Sequence, residues 1–219
     1  SDSFGDAVSL EYFYDVSEIE ADNAFFIANE IFDAFPCELL YQGKIADVDE
    51  SGKISFTIDS PEALTHAQKY KKDRGEIAVG YEAFARGMSQ SVKKFEFMSF
   101  DYGELEARSD FSIRVYQNHQ TFPLFDEALN AQSAFGKSDI TYDVNFLHVK
   151  EAFEAEGMEC VQYATQLVAL VEMGILDLLS ILKEKADEKI YIQELEKAKI
   201  LITPSLMGER FKMIRFVKG

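Results

Sequence analysis

The sequence predicts an α/β protein, and three observations support that class. Short apolar runs with the length of buried strands occur at 23–28, 95–100 and 211–217. Neighbouring segments carry apolar residues at three- and four-residue steps, as amphipathic helices do. A helix pattern followed by a strand pattern favours a sheet covered by helices. With 219 residues, 47% of them hydrophobic, the chain can bury one sizeable core.

The first predicted strand covers residues 23–28, a continuous apolar run that suits a strand buried on both faces. A helix is expected directly after it, from Asn29 or Glu30. Residues 40–58 have the pattern of a β-hairpin, because 49–53 supply turn-forming residues between two strand-like runs. This hairpin is expected to be an antiparallel excursion from the main sheet.

Two helices and a strand are predicted next. The first helix starts at Pro61, because Ser60 is a favourable N-cap and proline is common at the first helical position. The second helix spans 77–93, where apolar residues recur at helical spacing. The strand at 95–100 then ends at 101–103.

The last third of the chain predicts three helical segments and two strands. Glycines are expected to end or break the helices, because they adopt backbone conformations that other residues avoid. The predicted elements are a helix at 144–156 ended by Gly157, a strand at 158–164, a helical pattern at 166–185 broken at Gly174, a helix at 189–201 and a final strand at 211–217.

The charge of the chain bears on its partners. There are 22 lysines and arginines against 39 aspartates and glutamates, which gives a net charge of −17. Nucleic-acid binding needs a basic surface, and the two basic clusters, 69–72 and 93–94, fit solvated helix faces instead. We therefore expect no nucleic-acid partner, and a positively charged substrate surface suits the protein better.

Cysteine usage and hydropathy predict a cytoplasmic protein without a membrane span. Cys37 and Cys160 lie far apart and form neither a disulfide framework nor a zinc-ligand spacing. No apolar run approaches the roughly 20 residues that cross a bilayer, and the first residues are acidic, unlike a signal peptide.

Candidate binding residues follow the first predicted strand. Asn29, Glu30 and Asp33 come directly after it, and ligands of open α/β sheets bind at such strand ends. On one helix face, the two carboxylates could bind a guanidinium or an amine. An ordinary helix start with Asn29 as its cap explains the same residues. Asp101 and Tyr102 end the next strand in a similar way, which a simple turn also explains.

The sequence contains no motif for a metal site, a hydrolase or a glycine-rich cofactor loop. His66, His119 and His148 show no metal-ligand spacing, and no G-x-S-x-G elbow marks a hydrolase. The twelve glycines lie at least five positions apart. A dinucleotide or methyl-donor loop needs clustered glycines so that the backbone can approach the ligand, and this sequence contains no such cluster.

The ordered motifs resemble those of the MidA-like methyltransferases. The family pattern A-N-E-x-x-D-A-x-P is matched at 28–36, and six further motifs follow in register: 75–77, similar to a G-E-I helix start, 100–103, 114–116 with His119, 139–141 with 144–146, 165–166, and M-G-E-R-F-K at 207–212. Asp143 stands where the family has histidine, Asn145 stands where it has aspartate, and 121–137 follow the family loop only loosely.

The resemblance implies a class I methyltransferase (Rossmann-like) sheet ordered 3-2-1-4-5-7-6. Residues 1–219 would supply strands 4, 5, 7 and 6 as the carboxyl-terminal part of one domain, with 40–60 a hairpin insertion and 104–140 a variable substrate-side segment. The cofactor would be S-adenosylmethionine, and the parent protein would methylate protein arginine in respiratory complex I assembly. Because the glycine-rich loop is absent here, this chain is expected to be inactive alone, as a fragment.

Residue roles and partners follow from the same resemblance. Glu30 and Asp33 would be catalytic, Asn29 would contact the cofactor, and Asp101, Tyr102 and His119 would contact the substrate. The partners would be a protein substrate with a basic residue and, at the strand-four edge, the missing amino-terminal half or a second copy. A non-enzymatic assembly or binding module is the main alternative. An unrelated α/β hydrolase rests on fold analogy alone.

Overall fold

A computed structural model describes residues 11–219 except 107, 118–119, 127–128, 130–133 and 135. The strands in this part of the chain are β1 Ala21–Asn29, β2 Cys37–Tyr41, β3 Lys44–Val48, β4 Ile54–Asp59, β5 Arg74–Ala78, β6 Val92–Glu104, β7 Arg114–Gln117, β8 Gln120–Pro123, β9 Asp139–Thr141, β10 Val144–Asn145, β11 Glu159–Thr165 and β12 Phe211–Lys218. The α-helices are α1 Pro61–Lys69, α2 Tyr81–Ser91, α3 Phe146–Ala155, α4 Gln166–Glu172, α5 Ile175–Lys185 and α6 Glu188–Ile202.

The main sheet has the strand order β1-β6-β12-β11. β1 runs parallel to β6, whereas β12 lies antiparallel to both β6 and β11. This is the order 4-5-7-6 expected from the family resemblance, and the α/β class is confirmed. Because β1 and β6 are parallel neighbours, their carboxyl ends meet at one edge of the sheet, where Asn29 pairs with Phe100.

Aromatic side chains form the core between the main sheet and the helices α2 and α3. Phe32 is 0% exposed and contacts the rings of Tyr81, Phe97 and Phe153 at centroid separations of 5.4–6.1 Å. Phe153 in turn stacks on Phe216 of β12 at 4.4 Å. Each buried ring contributes about 1.5–3 kcal/mol of hydrophobic stabilisation. This cluster anchors the segment after β1 to the sheet.

A second sheet has the antiparallel order β4-β3-β2-β5. Its β3 and β4 are the predicted hairpin. The prediction that a helix begins at Ile77, at the G-E-I motif, is wrong, because 74–78 form β5 and pair with β2. The helix starts only at Tyr81, after Gly80 with a left-handed φ of 106°. The apolar periodicity at 77–93 therefore spans parts of three elements, β5, α2 and β6.

The predictions for β1 and the residues after it also need correction. β1 is not buried on both faces, because Phe25 is 57% and Ile27 is 71% exposed. No α-helix follows it: Glu30 has a φ of 51°, and 32–34 form a single 3-10 turn. The turn stops at Phe35, which precedes a proline and is therefore held in an extended conformation.

Several local predictions are confirmed. The Ser60 hydroxyl accepts a hydrogen bond from the Ala63 amide (3.2 Å) at the start of α1. Gly157 and Gly174 have φ of 82° and 88° where helices end or break. β11, α6 and β12 lie where predicted. The strand at 95–100 continues to Glu104 as β6, and the variable segment 104–140 contributes β7, β8 and β9, which form a third sheet.

Candidate functional site

An acidic cleft lies where the carboxyl ends of β1 and β6 meet. It has a volume of about 520 Å³. Three carboxylate side chains line it, and no lysine or arginine is among its described lining residues. Those residues are Glu30, Asp33, Ala34, Tyr102, Tyr116, Ser138, Asp139, Ile140 and Thr141. We call this feature the acidic cleft.

Asp101 fixes the turn that brings Asp33 to the acidic cleft. Its Oδ2 accepts hydrogen bonds from the amides of Phe32 (2.9 Å) and Asp33 (3.3 Å), and its Oδ1 accepts one from the Tyr102 amide (2.9 Å). The side chain is 0% exposed. Asp101 therefore lies behind the cleft surface, and its carboxylate fixes the backbone of the turn and of Tyr102 by hydrogen bonds. Its role as a substrate contact stays a prediction.

The same turn is held from two further sides. The Tyr81 hydroxyl donates to the Phe32 carbonyl (2.9 Å), and the Tyr142 amide donates to the Asp33 carbonyl (3.1 Å). These three tethers come from β6, α2 and the segment after β9. They leave the turn little freedom to move, which suits a group that must be positioned for binding or chemistry.

Asp33 is the buried carboxylate of the acidic cleft. It is 1% exposed, and its Oδ1 has no hydrogen-bond partner among the described residues. Burial raises the pKa of Asp33 above its ordinary value, the Tyr102 hydroxyl opposes this by hydrogen bonding, and the charge of Glu30 raises it further. An acceptor that is both buried and unsatisfied is costly to maintain without a ligand or a proton.

Glu30 lies at the exposed side of the acidic cleft. Its amide donates to the Phe100 carbonyl (2.9 Å), which extends the β1–β6 pairing by one residue. Its Oε1 accepts a hydrogen bond from Asn29 Nδ2 (3.0 Å). Glu30 and Asp33 thus line the same cleft. The left-handed conformation of Glu30 and the 3-10 turn at 32–34 place them there, whereas a shared helix face was expected.

Tyr102 forms the wall of the acidic cleft. Its hydroxyl forms a short hydrogen bond with the Thr141 hydroxyl. Burial, and then the hydrogen bond with Asp33, raise the pKa of Tyr102 well above its ordinary value, so the phenol stays protonated. Sequence reasoning missed Tyr116 and Asp139, which reach the cleft because β7 pairs with β9.

The histidines do not contribute to the described part of the acidic cleft. His119 lies outside the described residues, so its predicted substrate contact stays a prediction. His148 is buried, and its Nε2 lies 2.7 Å from Glu82 Oε1, beside the ring of His66. Within the described residues no group of three or more histidine, cysteine, aspartate or glutamate side chains could hold a metal ion.

The burial of Asp101 predicts a pH-dependent stability. Burial, and then the charge of Asp33, raise the pKa of Asp101 to about 8, although three amides oppose the shift. An unfolded aspartate titrates near 4, so the folded protein holds the extra proton between pH 4 and 8. The free energy of unfolding should fall as pH rises through this window, by at most about 1.4 kcal/mol per pH unit.

Asp101→Asn should flatten that dependence in urea titrations at pH 5, 6, 7 and 8. The surface change Asp22→Asn, at a residue paired with Lys93, should leave the wild-type slope intact. A slope that is the same in Asp101→Asn and wild type would show that Asp101 does not carry the proton.

Comparison with known proteins identifies relatives along most of the chain. A family model described as "Putative S-adenosyl-L-methionine-dependent methyltransferase" matches residues 3–164. The proteins named "Protein arginine methyltransferase NDUFAF7, mitochondrial" from Xenopus laevis and Bos taurus are 26% and 23% identical over 221 and 224 residues. These matches cover 94% and 96% of this chain but 48% and 49% of the relatives. The chain therefore spans about half the length of the curated relatives it matches.

Two solved structures share the fold. One is a COG1565 superfamily member from Burkholderia thailandensis bound to S-adenosyl-homocysteine, with a TM-score of 0.73 and 21% identity. The other, also from Burkholderia thailandensis, has a TM-score of 0.73 and 22% identity. They cover 92% and 90% of this chain and 55% of each of the other chains. At this identity the likeness concerns the fold.

Across the described residues, none of the helices is long and apolar enough to cross a membrane. The word "mitochondrial" belongs to the names of the relatives. A cytoplasmic location for this chain stays a prediction from cysteine usage.

Two glycines, Gly103 and Gly80, do not provide open backbone that S-adenosylmethionine could approach. Binding a methyl donor needs backbone that approaches the ligand closely, which glycine permits. At Gly103, next to the cleft, protein fills that space: an added Cβ would lie 2.1 Å from the Val144 carbonyl oxygen. At Gly80 it would lie 3.5 Å from the Phe35 ring. The cofactor contact of Asn29 stays a prediction.

Proposed function

Because the chain belongs to the methyltransferase family whose model matches residues 3–164, we propose that it supplies the substrate-binding half of a protein arginine methyltransferase. The observation that carries the proposal is the acidic cleft, in which Glu30 and Asp33 lie together at the end of β1. The names of the relatives, which the chain matches over about half their length, favour arginine as the methylated residue.

The chemistry of the acidic cleft suits a guanidinium. Glu30 and Asp139 provide exposed carboxylates, and Asp33 provides a buried one. A guanidinium is planar, always charged and presents five N–H donors, so it can bond to two carboxylates at once. The unsatisfied Oδ1 of Asp33 is an acceptor for one of these donors. A side chain without an N–H or O–H donor would leave that oxygen unpaired.

The carboxylates also suit the reaction. When bound, S-adenosylmethionine supplies the methyl group in this family. The accepting guanidinium nitrogen must present its lone pair and lose one proton. In this proposal Asp33 would orient the nitrogen and take up that proton, and its raised pKa would make it a better base than an ordinary aspartate. Glu30, at the exposed side, would hold the remaining positive charge.

For this chain alone we propose that cofactor binding is weak or absent, because its glycines are not clustered. It would then act as a binding module, whereas the longer protein would be the enzyme, with complex I assembly as the proposed context. Calorimetry with S-adenosylmethionine separates the two roles. Tight binding of S-adenosylmethionine by the 219-residue chain would contradict the proposal that this chain alone is a binding module.

The proposed activity is tested with a matched pair of peptides. The full-length protein that contains this chain is incubated with S-adenosylmethionine and either an arginine peptide or the same peptide with lysine. We expect mass spectrometry to find a methyl group on the arginine peptide and none on the lysine peptide. Methylation of lysine, or a cofactor-loaded protein that methylates no arginine, would overturn the proposal.

A further inference from the structure

A second pocket shares Tyr102 with the acidic cleft and has the opposite electrostatic character. It has a volume of about 250 Å³. Three guanidinium side chains line it, together with Asp143 and Glu104. We call it the arginine pocket, after Arg108, Arg114 and Arg210.

The charges in the arginine pocket do not balance. Asp143 is a single carboxylate that accepts short hydrogen bonds from both Arg108 Nη1 and Arg114 Nη2. Glu104 is itself neutralised by Lys212, with a separation of 3.3 Å. Arg210 forms no ion pair with a carboxylate of the described residues. Four cations against two carboxylates leave about two positive charges, in a chain whose net charge is −17.

Tyr102 holds two of these guanidiniums in place. The Cζ atoms of Arg114 and Arg210 lie 5.4 and 5.6 Å from the centre of its ring, within the range of cation–π contacts. Arg114 is mostly buried, with a side chain 19% exposed, and its Nη1 has no hydrogen-bond partner among the described residues. Within the described part of the chain, the pocket therefore combines fixed cations, an unsatisfied donor and one guanidinium free of ion pairs.

We infer that the arginine pocket binds the carboxylate of an aspartate or glutamate side chain that lies near the methylated arginine in a polypeptide substrate. The inference rests on the proposed function, because Tyr102 joins this pocket to the acidic cleft. Guanidinium forks match carboxylates, with two parallel hydrogen bonds. A substrate with a cation beside an anion would meet complementary charge in both pockets.

The spacing of the two substrate charges is limited, because the side chain of Tyr102 lines both pockets. Phe211, the first residue of β12, pairs with Tyr102, so Arg210 lies one residue before the level of the cleft wall. An extended peptide advances about 3.3–3.6 Å per residue. The acidic residue is therefore expected within about four residues of the arginine.

The test scans one aspartate through the four positions on each side of the arginine in a labelled peptide with blocked ends. Each aspartate peptide has a matched asparagine peptide, and fluorescence anisotropy gives their affinities for the 219-residue chain. We expect about tenfold tighter binding of aspartate at one or more positions. The net charge of −17 alone would favour asparagine, so non-specific attraction cannot mimic this result.

Arg210→Gln should equalise the aspartate and asparagine peptides. The control Arg86→Gln, on α2 and paired with Glu156, should keep the aspartate preference. Equal affinities in the wild type at all positions, or a preference that survives in Arg210→Gln, would overturn the inference. A citrulline peptide in place of arginine reports on the acidic cleft separately, so failure of the proposed function is distinguished from failure of the arginine pocket.

Discussion

Gly103→Ala is expected to lower the free energy of unfolding by about 2–6 kcal/mol. Gly103 has a φ of 150°, a region that side chains rarely adopt, and β10 packs directly on it. An added Cβ would lie 2.1 Å from the Val144 carbonyl oxygen and 2.6 Å from its nitrogen. Backbone strain costs about 1–3 kcal/mol, and overpacking against backbone that cannot rotate away costs a similar amount.

Urea unfolding followed by far-UV circular dichroism measures this loss. Gly157→Ala is the matched control, because its φ of 82° is also left-handed but an added Cβ would meet no atom within 4 Å. The control should lose only about 1–2 kcal/mol. Equal losses in the two variants would show that β10 does not pack on Gly103 as described.

Removing the charge of Asp33 is expected to have the largest effect on activity. Asp33→Asn in the full-length protein should lower kcat/KM for arginine methylation by about 100-fold or more, because a positioned base contributes 10²–10⁴-fold. The fold should survive, since the tethers of this turn involve the backbone of Asp33 and not its carboxylate. Glu30→Gln should also lower kcat/KM, and a larger part of its effect should be a raised KM.

Initial rates at several pH values check this prediction. Because the pKa of Asp33 is raised, the wild-type rate should fall as the pH drops through that value, and Asp33→Asn should lack this acid limb. Asp110, a surface carboxylate paired with Arg74, provides the control. Asp110→Asn should keep the wild-type rate and the same fall of the rate at low pH. Unchanged methylation in Asp33→Asn would remove this residue from the mechanism.

The main sheet could be predicted because its signals are local. Apolar runs mark β1, β6 and β12, and glycines at 157 and 174 mark helix ends. The order of the strands came from the family resemblance, since residue patterns alone do not determine which strands pair.

The errors arise where distant contacts override local patterns. Residues 74–78 form a strand because β2 pairs with them, and the buried Glu76 accepts hydrogen bonds from the amides of Ser112 and Ile113. Nothing in the local sequence reveals these partners, which lie 36 and 37 residues away. The turn after β1 differs from the expected helix for the same reason, since Asp101 binds its amides from 68 and 69 residues away.

The acidic cleft was partly predictable for similar reasons. Glu30 and Asp33 follow the end of β1, and Tyr102 follows the strand predicted at 95–100, so all three could be found by position in the sequence. Asp139 and Tyr116 could not, because the pairing of β7 with β9 brings them there. Asp101 was found, but its burial and its backbone contacts required the structure.

The central claim is that the acidic cleft recognises a guanidinium, and the affinity of the 219-residue chain for an arginine peptide and its citrulline counterpart tests it most directly. Citrulline keeps the shape of arginine but carries no charge. We expect the arginine peptide to bind at least about tenfold more tightly, and the double change Glu30→Gln with Asp33→Asn to abolish the difference. Equal affinities of the two peptides for the unmodified chain would contradict the claim.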